Sequence, residues 1–232
     1  MTTRPGKPIK TPTSKVLVVA PHPDDETLGC AGTLLRRAAQ GTQLGWLIAT
    51  GMTDRYSDKQ RQNRADTIAK VTAAYGFDPV YCLDLPTTEL DSHPLSKIID
   101  AISGAINDFQ PDELLLPHRG DVHSDHRIIF DACAACSKWF RYPFIKRIMS
   151  YETLSETDFS LASEDKFHPN VFFDISDHLQ RKLDIMAMYS DECGSFPFPR
   201  SAEAITAQAR VRGTQSGYQA AEAFMLLRER ND

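Results

Sequence analysis

Short apolar runs alternate with helix-like segments along the first two-thirds of the chain. Strands are predicted at residues 15–20, 43–50, 79–85, 113–117 and 146–152. Helices are predicted between and after them at 27–40, 59–75, 95–109 and 125–139. The first strand, KVLVVA, is apolar after its lysine, which is typical of a strand buried on both faces of a parallel sheet. The alternation predicts the α/β class, as a Rossmann-like, doubly wound, mostly parallel sheet with helices on both faces.

The last third of the chain departs from this alternation. A short strand is predicted at 170–176, helices at 177–189 and 202–213, and a closing strand or helix at 221–229. The 232 residues contain no internal repeat and no obvious linker. We therefore predict a single domain over residues 14–232, preceded by a flexible lead-in at 1–13 that is rich in Pro, Thr and Lys.

The composition argues against several functional classes. Hydrophobic residues make up 41% and charged residues 25% of the chain, which is ordinary for a globular protein with a proper core. The net charge of −5 argues against a nucleic-acid partner and against attraction to an anionic membrane surface. The first residues lack the apolar run of a signal peptide, and no segment approaches the 18 apolar residues of a membrane span. No integral membrane association is expected.

The five cysteines are odd in number and mostly have apolar neighbours. This usage predicts reduced, buried thiols and a cytoplasmic location. Cys133 and Cys136 form a C-x-x-C, but the segment is predicted to be helical, without a second such pair or a βαβ redox context. Core packing is therefore predicted for them rather than redox or zinc-thiolate chemistry.

Two segments rich in histidine and carboxylates follow the first and the fourth predicted strands. They are PHPDDE at 21–26 and PHRGDVHSDH at 117–126. Ligands of open parallel sheets bind beyond the carboxyl ends of the strands, so both segments are expected at the same edge. The residues brought together there are His22, Asp24, Asp25, Glu26, His118, Asp121, His123, Asp125 and His126.

This combination of side chains suits a divalent metal. Two histidines and one carboxylate bound to zinc leave a fourth position open for water, as in hydrolytic zinc sites. A cation would also relieve the repulsion among three consecutive acids. The alternative is helix capping, because acids at a helix N-terminus contribute about 0.3–1 kcal/mol each. In the first segment, capping gives no reason for His22. In the second segment, Ser124 or Asp125 would be the N-cap and the histidines would be solvated loop residues.

PHPDDETLGCAGTL, followed downstream by GDVHSDHR, resembles the PIG-L/LmbE-like family of zinc-dependent de-N-acetylases. The resemblance covers most of the chain. It implies that His22, Asp25 and His126 are the metal ligands. It also implies Zn²⁺ as the cofactor, with Fe²⁺ or another divalent ion as the alternative in the cell.

The same resemblance implies roles for the remaining residues of both motifs. Asp24 matches the general base that takes a proton from water. His123 matches the residue that stabilises the oxyanion or protonates the leaving amine. Asp125 would orient one of the histidines.

RQNRADTIAKVTAAYG resembles a family helix in which an arginine is followed three residues later by an acid. Arg64 matches that arginine, a substrate-contacting residue in the family. Thr67 stands where the acid is usual and Tyr75 replaces a leucine. The alternative for Arg64 is a solvated helix face.

The resemblance implies a metal-dependent hydrolase that removes the N-acetyl group from an N-acetylglucosamine-type amino sugar or conjugate, a small-molecule partner. The first alternative is a metal-dependent hydrolase that cleaves another amide, in a secondary metabolite or another N-acyl compound. A non-catalytic nucleotide- or phosphate-binding module is the second, and the first loop disfavours it because it lacks G-x-G-x-x-G and its carboxylates repel phosphate.

Substrate recognition is predicted in the loops at 51–60, 86–94 and 190–202, with Phe196, Phe198 and Arg200 as candidate contacts. The sequence leaves open the identity of the sugar or aglycone, whether His168 reaches the site, and whether the chain forms a homo-oligomer.

Overall fold

The computed structural model describes residues 14–161 and 164–231, so the predicted lead-in at 1–13 lies outside the described residues. The strands are β1 (Lys15–Ala20), β2 (Gln43–Gly51), β3 (Val80–Pro86), β4 (Glu113–Leu116), β5 (Arg147–Tyr151), β6 (Val171–Asp174) and β7 (Ala221–Glu229). The α-helices are α1 (Asp25–Ala39), α2 (Asp58–Tyr75), α3 (Leu95–Phe109), α4 (Ser124–Ala135), α5 (Leu179–Met186) and α6 (Ala202–Ser216). Short 3₁₀ turns lie at Leu90–Ser92 and Ser190–Glu192.

The strands form a seven-stranded sheet in the order β3-β2-β1-β4-β5-β7-β6. The pairs from β3 to β5 are parallel, whereas β7 runs antiparallel to both β5 and β6. The predicted α/β class with a mostly parallel, doubly wound sheet is confirmed. The segment at 221–229, left open between strand and helix, is a strand. The strand order reverses between β1 and β4, which places a crevice at their carboxyl ends.

Strand β1 is apolar after Lys15 because it is buried on both faces of the sheet. Val16 and Val18 belong to the core on one face of the sheet, together with the inward side of α1. Leu17 and Val19 belong to the core on the other face, together with α3 and α4. Burial of each such side chain contributes about 1.5–3 kcal/mol. A strand buried on both faces cannot alternate apolar and polar residues.

Helix α1 lies close to its neighbours because its inward face is made of small residues. A Cβ atom at Gly29 would lie 2.3 Å from the Tyr151 ring, and one at Gly32 would lie 2.4 Å from Ile175. These distances are too short for any side chain larger than hydrogen. The LGCAG segment therefore lets α1 approach β5 and the end of β6, which brings the start of α1 over the sheet edge.

Several helix boundaries differ from the prediction, and α6 extends to Ser216 rather than residue 213. Helix α1 begins at Asp25 rather than residue 27, because the carbonyl group of Asp24 already accepts hydrogen bonds from the backbone N–H groups of Thr27 and Leu28. Helix α4 ends at Ala135 rather than residue 139, and turns follow it up to the start of β5. Helix α5 is shorter than 177–189 because Tyr189, at ψ 57°, leaves the helical conformation.

Helix α2 begins and ends where local signals place it. Ser57 and Gln60 form a capping box at its start, and Gly76 ends it with a φ of 72°. Reciprocal hydrogen bonds at the start and a left-handed glycine at the end are strong local determinants of a helix. This helix forms one wall near the sheet edge where the two motifs lie.

The cysteines only partly follow the prediction. Cys30, Cys133 and Cys136 are buried, but Cys82 on the edge strand β3 is exposed, so the expectation of buried thiols was wrong for Cys82. An edge strand has one solvent-facing side, which the apolar neighbours in the sequence do not reveal. Within the described ranges, no helix combines the length and the apolar character that crossing a bilayer needs.

A buried ion pair fastens α1 to the C-terminal third. Glu222 on β7 accepts hydrogen bonds from the backbone N–H groups of Gly32 and Thr33 at 2.9 and 2.8 Å. Lys182 on α5 donates to Glu222 at 2.8 Å and to the carbonyl oxygen of Leu28 at 2.7 Å. Both charged side chains are about 95% buried. Each charge is thus satisfied by the other and by backbone groups of α1.

We expect Glu222→Ala to lower the free energy of unfolding by about 3–5 kcal/mol, because it leaves the Lys182 ammonium group buried without a counter-ion. Glu229→Ala is the matched control on the same strand, since it removes an exposed partner of Arg147 and should cost less than about 1 kcal/mol. Urea unfolding followed by circular dichroism measures both. Equal losses in the two variants would contradict the role of this pair.

Candidate active site

Two turns at the carboxyl ends of neighbouring parallel strands form the site. The first motif joins β1 to α1, and the second joins β4 to α4. β1 and β4 are paired directly, with Val16 opposite Glu113. The ring centroids of His22 and His126 consequently lie 5.4 Å apart, and those of His22 and His123 lie 4.6 Å apart.

Three side chains converge on one position where a metal could bind. Nδ1 of His22 and Nε2 of His126 each lie 3.4 Å from Oδ2 of Asp25. The ligand atoms of the three residues all lie within 4.8 Å of one another. Asp25 and His126 are buried, and His22 is partly exposed. Two imidazole nitrogens and one carboxylate oxygen are a donor set that zinc accepts.

The second ring nitrogen of each histidine faces a carboxylate. Nε2 of His22 lies 3.2 Å from Oδ2 of Asp125, which also accepts a hydrogen bond from the backbone N–H of Thr88 at 2.8 Å. Nδ1 of His126 lies 2.8 Å from Oδ2 of Asp121. Metal-binding histidines usually donate their other N–H to such a carboxylate, which fixes the tautomer and the ring orientation. The surroundings therefore fit a metal held by His22, Asp25 and His126.

A second group that could hold a metal consists of His22, His123 and Asp125. Nδ1 of His123 accepts from the backbone N–H of Asp125 at 3.1 Å, and Oδ2 of Asp125 faces His22 and Thr88. Oδ1 of Asp125 is buried and has no hydrogen-bond partner among the described residues. This group shares His22 with the first one. In the group that contains Asp25 the second nitrogen of each histidine faces a carboxylate, whereas Nδ1 of His123 faces a backbone N–H group.

The electrostatics of the site favour a positive charge between the two histidines. Burial acts to lower the pKa of His22, but hydrogen bonds with Asp125 and Asp25 outweigh it and raise the pKa to about 9. Burial also acts to lower the pKa of His126, but the charge of Asp25 and the hydrogen bond with Asp121 outweigh it and raise the pKa to about 10. Burial acts to raise the pKa of Asp25, yet the charge of His126 holds it well below its usual range. These carboxylates attract a cation.

We call His22, Asp25 and His126 the metal group. Asp24 is buried beside this group but is not part of it. Burial and the neighbouring charge of Asp25 raise its pKa well above the usual range, and the charge of Arg200 opposes this shift. Nη1 of Arg200 donates to Oδ2 of Asp24 at 2.7 Å. The backbone of Asp24 has a φ of 137°, a conformation that costs about 1–3 kcal/mol in a non-glycine residue. Such strain persists only where the surroundings hold the residue in place.

Glu26 supplies part of that support. It is fully buried and accepts hydrogen bonds from the Asp24 backbone N–H at 3.1 Å, from the Thr27 hydroxyl at 2.5 Å and from the Tyr189 hydroxyl at 2.7 Å. Burial raises the pKa of Glu26 to about 7. Glu26 therefore connects the first motif to the segment after α5.

His123 is the N-cap of α4 and is half-buried. Burial, together with the charges of His22 and His126, lowers its pKa to about 4. Because Nδ1 accepts the Asp125 backbone N–H, the neutral ring carries its proton on Nε2. His123 can thus donate a hydrogen bond without carrying a charge.

Arg64 lies on α2 with its guanidinium group partly buried. Nη2 donates to the carbonyl oxygen of Thr50 at 2.8 Å, and burial lowers the pKa of Arg64 from its usual value. The charge of Asp24 opposes this shift and acts to raise the pKa of Arg64. Arg64 lines a cavity beside the first motif together with Pro23 and Glu192.

Two histidines considered from the sequence lie outside the metal group. His118 is buried, with Nε2 2.8 Å from the carbonyl oxygen of Asp165 and its ring edge-on to Phe167. The His168 side chain is exposed, and its backbone N–H donates to the sulfur of Met225 on β7.

Sequence reasoning did not assign the partners that hold the motifs in place. Asp121, the partner of His126, lies five residues before it in the same motif, so the sequence did contain a local signal for this contact. Tyr189 and Arg200 lie 163 and 176 residues along the chain from Glu26 and Asp24, respectively. No local pattern indicates either contact, and Arg200 was considered only as a substrate contact.

Residues 17–137, more than half of the chain, match the family model described as PIG-L: GlcNAc-PI de-N-acetylase. The chain belongs to this family. A relative from Escherichia coli (strain K12), "Uncharacterized deacetylase YaiS", is 25% identical over 149 residues, which cover 60% of this chain and 74% of the relative. The predicted family and the enzyme class, a deacetylase, are confirmed, and metal dependence is general to the family.

Solved structures share the fold. The conserved protein TT1542 from Thermus thermophilus has a TM-score of 0.74 at 24% identity, covering 94% of this chain and 96% of that one. N,N'-diacetylchitobiose deacetylase from Pyrococcus horikoshii has a TM-score of 0.72 at 21% identity, covering 94% and 85%.

We expect Asp121→Asn to weaken zinc binding about 10- to 100-fold, because the orienting carboxylate of His126 is lost. Asp131→Asn is the matched control, since Asp131 pairs with Arg119 on the surface. Competition against a chromophoric chelator measures the affinity. Wild-type affinity in Asp121→Asn, with unchanged thermal stability, would rule out this orienting role.

Proposed function

We propose that this deacetylase removes the N-acetyl group from an N-acetylglucosamine-type amino sugar or conjugate, with zinc held by His22, Asp25 and His126. Fe²⁺ or another divalent ion is the alternative metal. The observation that carries the proposal is the convergence of these three ligands, with an orienting carboxylate behind each histidine. Asp24 supplies a further buried carboxylate beside the group.

His22, Asp25 and His126 would hold the metal, which when bound would make a water molecule more acidic and the acetyl carbonyl group more electrophilic. Asp24 takes the proton from the water as its oxygen attacks the acetyl carbon. Burial and the charge of Asp25 raise the pKa of Asp24, which makes its carboxylate a stronger base than that of an exposed aspartate. The proton on Asp24 then passes to the sugar nitrogen, and the C–N bond breaks to give acetate and the free amine.

His123 stabilises the negative charge that develops on the carbonyl oxygen. Its neutral ring donates from Nε2, and the hydrogen bond at Nδ1 keeps the ring in that tautomer. A donor fixed before the reaction needs no reorganisation in the transition state, which makes this kind of stabilisation effective. Asp125 has a positioning role, since its carboxylate holds His22 and its backbone N–H holds His123.

Arg64 completes the proposed site as a substrate-binding residue. Its contact with the Thr50 carbonyl group holds it beside Asp24 at the opening of the cavity. The partner is a small-molecule amino sugar. We also propose a cytoplasmic location, because the buried Cys30, Cys133 and Cys136 suit a reducing compartment.

His126→Ala should lose both bound zinc and acetate release, because it removes a metal ligand. His93→Ala is the control, as His93 is exposed in the loop before α3. Mass spectrometry gives the metal content of the purified proteins, and a coupled assay gives acetate release from N-acetylglucosamine conjugates. A His126→Ala protein that keeps wild-type zinc would disprove the proposed ligand set.

Asp24→Asn should keep the metal but lower kcat about 10²- to 10⁴-fold, because the amide cannot accept the proton from water. The control is Asp54→Asn in an exposed turn. Metal content and acetate release are measured on the same preparations. Retained turnover would exclude Asp24 as the base, and loss of zinc would mean that Asp24, rather than Asp25, is the ligand.

A further inference from the structure

A groove lies between α2 and the segment that follows α5, with a volume of about 390 Å³. One wall is a single face of α2, because Gln60, Asn63, Arg64 and Thr67 follow helical spacing. The opposite wall is the segment 188–192. We call this cavity the α2 groove. Its lining residues are Pro23, Met52, Tyr56, Gln60, Asn63, Arg64, Asp66, Thr67, Lys70 and residues 188–192.

The α2 groove adjoins the first motif. Pro23, which lies between His22 and Asp24 in the sequence, and Arg64 are both among its lining residues. Arg200 joins Glu192 on the opposite wall to Asp24. Its Nη1 donates to Oε2 of Glu192 at 2.9 Å and to Oδ2 of Asp24 at 2.7 Å. The three proposed metal ligands are not among the lining residues. The groove thus lies next to the metal group without including it, and it can hold a part of the substrate beyond the acetamide.

The lining discriminates among chemical classes of ligand. Its cations are Arg64 and Lys70, and its anions are Asp66, Asp191 and Glu192, so the excess of negative charge disfavours a phosphate-linked group. Its apolar surface comes from Met52, Met188 and Pro23 and from the rings of Tyr56 and Tyr189, and charged and polar groups interrupt it, which does not suit a lipid chain. The remaining lining groups are amides and hydroxyls, which suit an uncharged ligand rich in hydroxyl groups.

Two of these polar side chains are available to a ligand. Within residues 14–161 and 164–231, neither the Asn63 amide nor the Thr67 hydroxyl has a hydrogen-bond partner from the protein. They lie four residues apart on α2, on the same side of the helix as Arg64. A cleft of about 300 Å³ or more takes a ligand of drug-like size, so the groove has room for a unit beyond the reacting sugar.

We propose that the α2 groove is a subsite for a second, uncharged glycosyl unit, linked to the acetamido sugar that reacts at the metal group. Asn63 and Thr67 donate or accept hydrogen bonds with its hydroxyl groups. The substrate is then a disaccharide or longer glycoside rather than a free monosaccharide or a sugar phosphate. This inference rests on the proposed function for the placement of the reacting sugar.

The test compares kcat/KM for N,N'-diacetylchitobiose, N-acetylglucosamine and N-acetylglucosamine 1-phosphate. The wild type should prefer the disaccharide about tenfold or more, the effect of two ordinary hydrogen bonds. The double variant Asn63→Ala/Thr67→Ala should lower the ratio of disaccharide to monosaccharide kcat/KM about tenfold. Asn107→Ala on α3 is the control and should leave the ratio unchanged. An equal effect of the double variant on both substrates, or a wild type that prefers the phosphate, would overturn the proposal.

Direct binding separates this proposal from the proposed reaction. Calorimetric titration of N,N'-diacetylchitobiose into Asp24→Asn, with and without the two groove substitutions, measures the groove without turnover. If Asp24→Asn with both groove substitutions binds the disaccharide about tenfold more weakly than Asp24→Asn alone, the glycosyl subsite is supported. If the wild type hydrolyses none of the three sugars, the proposed function is refuted, whatever the binding result. Equal binding by the two proteins, or no binding to either, would refute the subsite.

Discussion

The parallel pairing of β1 with β4 is the contact on which the site depends. Each strand ends in a turn that carries part of the chemistry, and neither turn alone holds a complete donor set for a metal. Hydrogen bonds between Val16–Val18 and Glu113–Leu115 fix the register of the two strands, so the residues that follow them reach the same height above the sheet. His22 and Asp25 thereby meet His126. A shift of register by one residue would turn alternate side chains to the other face and separate these ligands.

Much of this arrangement could be predicted from the sequence. The class of the sheet followed from apolar runs such as Val16–Ala20, because burial on both faces removes polar residues from a strand. The approach of the two motifs followed from topology, since parallel strands end at one edge. Helix ends were predicted well where a local signal was used, as at Gly76, but the equivalent signal of Gly217 after α6 was missed. They were predicted poorly where a distant contact decides, as at Tyr189, whose hydroxyl group binds Glu26.

The remaining features arise from contacts between distant parts of the chain. Lys182 and Glu222 look like surface charges in the sequence, yet they are buried against the backbone of α1. Arg200 lies in an irregular loop, and only the folded chain shows that it binds Asp24 and Glu192. Hydrophobic periodicity carries no information on such pairs, because a charged side chain is buried only when its partners surround it. The sequence predicts which residues carry the chemistry more readily than which residues hold them.

These distant contacts join the proposed base to the groove. Tyr189 lines the α2 groove, and its hydroxyl group donates to Glu26, which in turn accepts the backbone N–H of Asp24. Glu192 lines the same wall and reaches Asp24 through Arg200. Asp24 has a strained backbone, so its position depends on these supports rather than on its own conformational preference. The wall at 188–192 and the proposed base thus belong to one hydrogen-bonded network, through Tyr189 and Glu26 on one side and through Glu192 and Arg200 on the other.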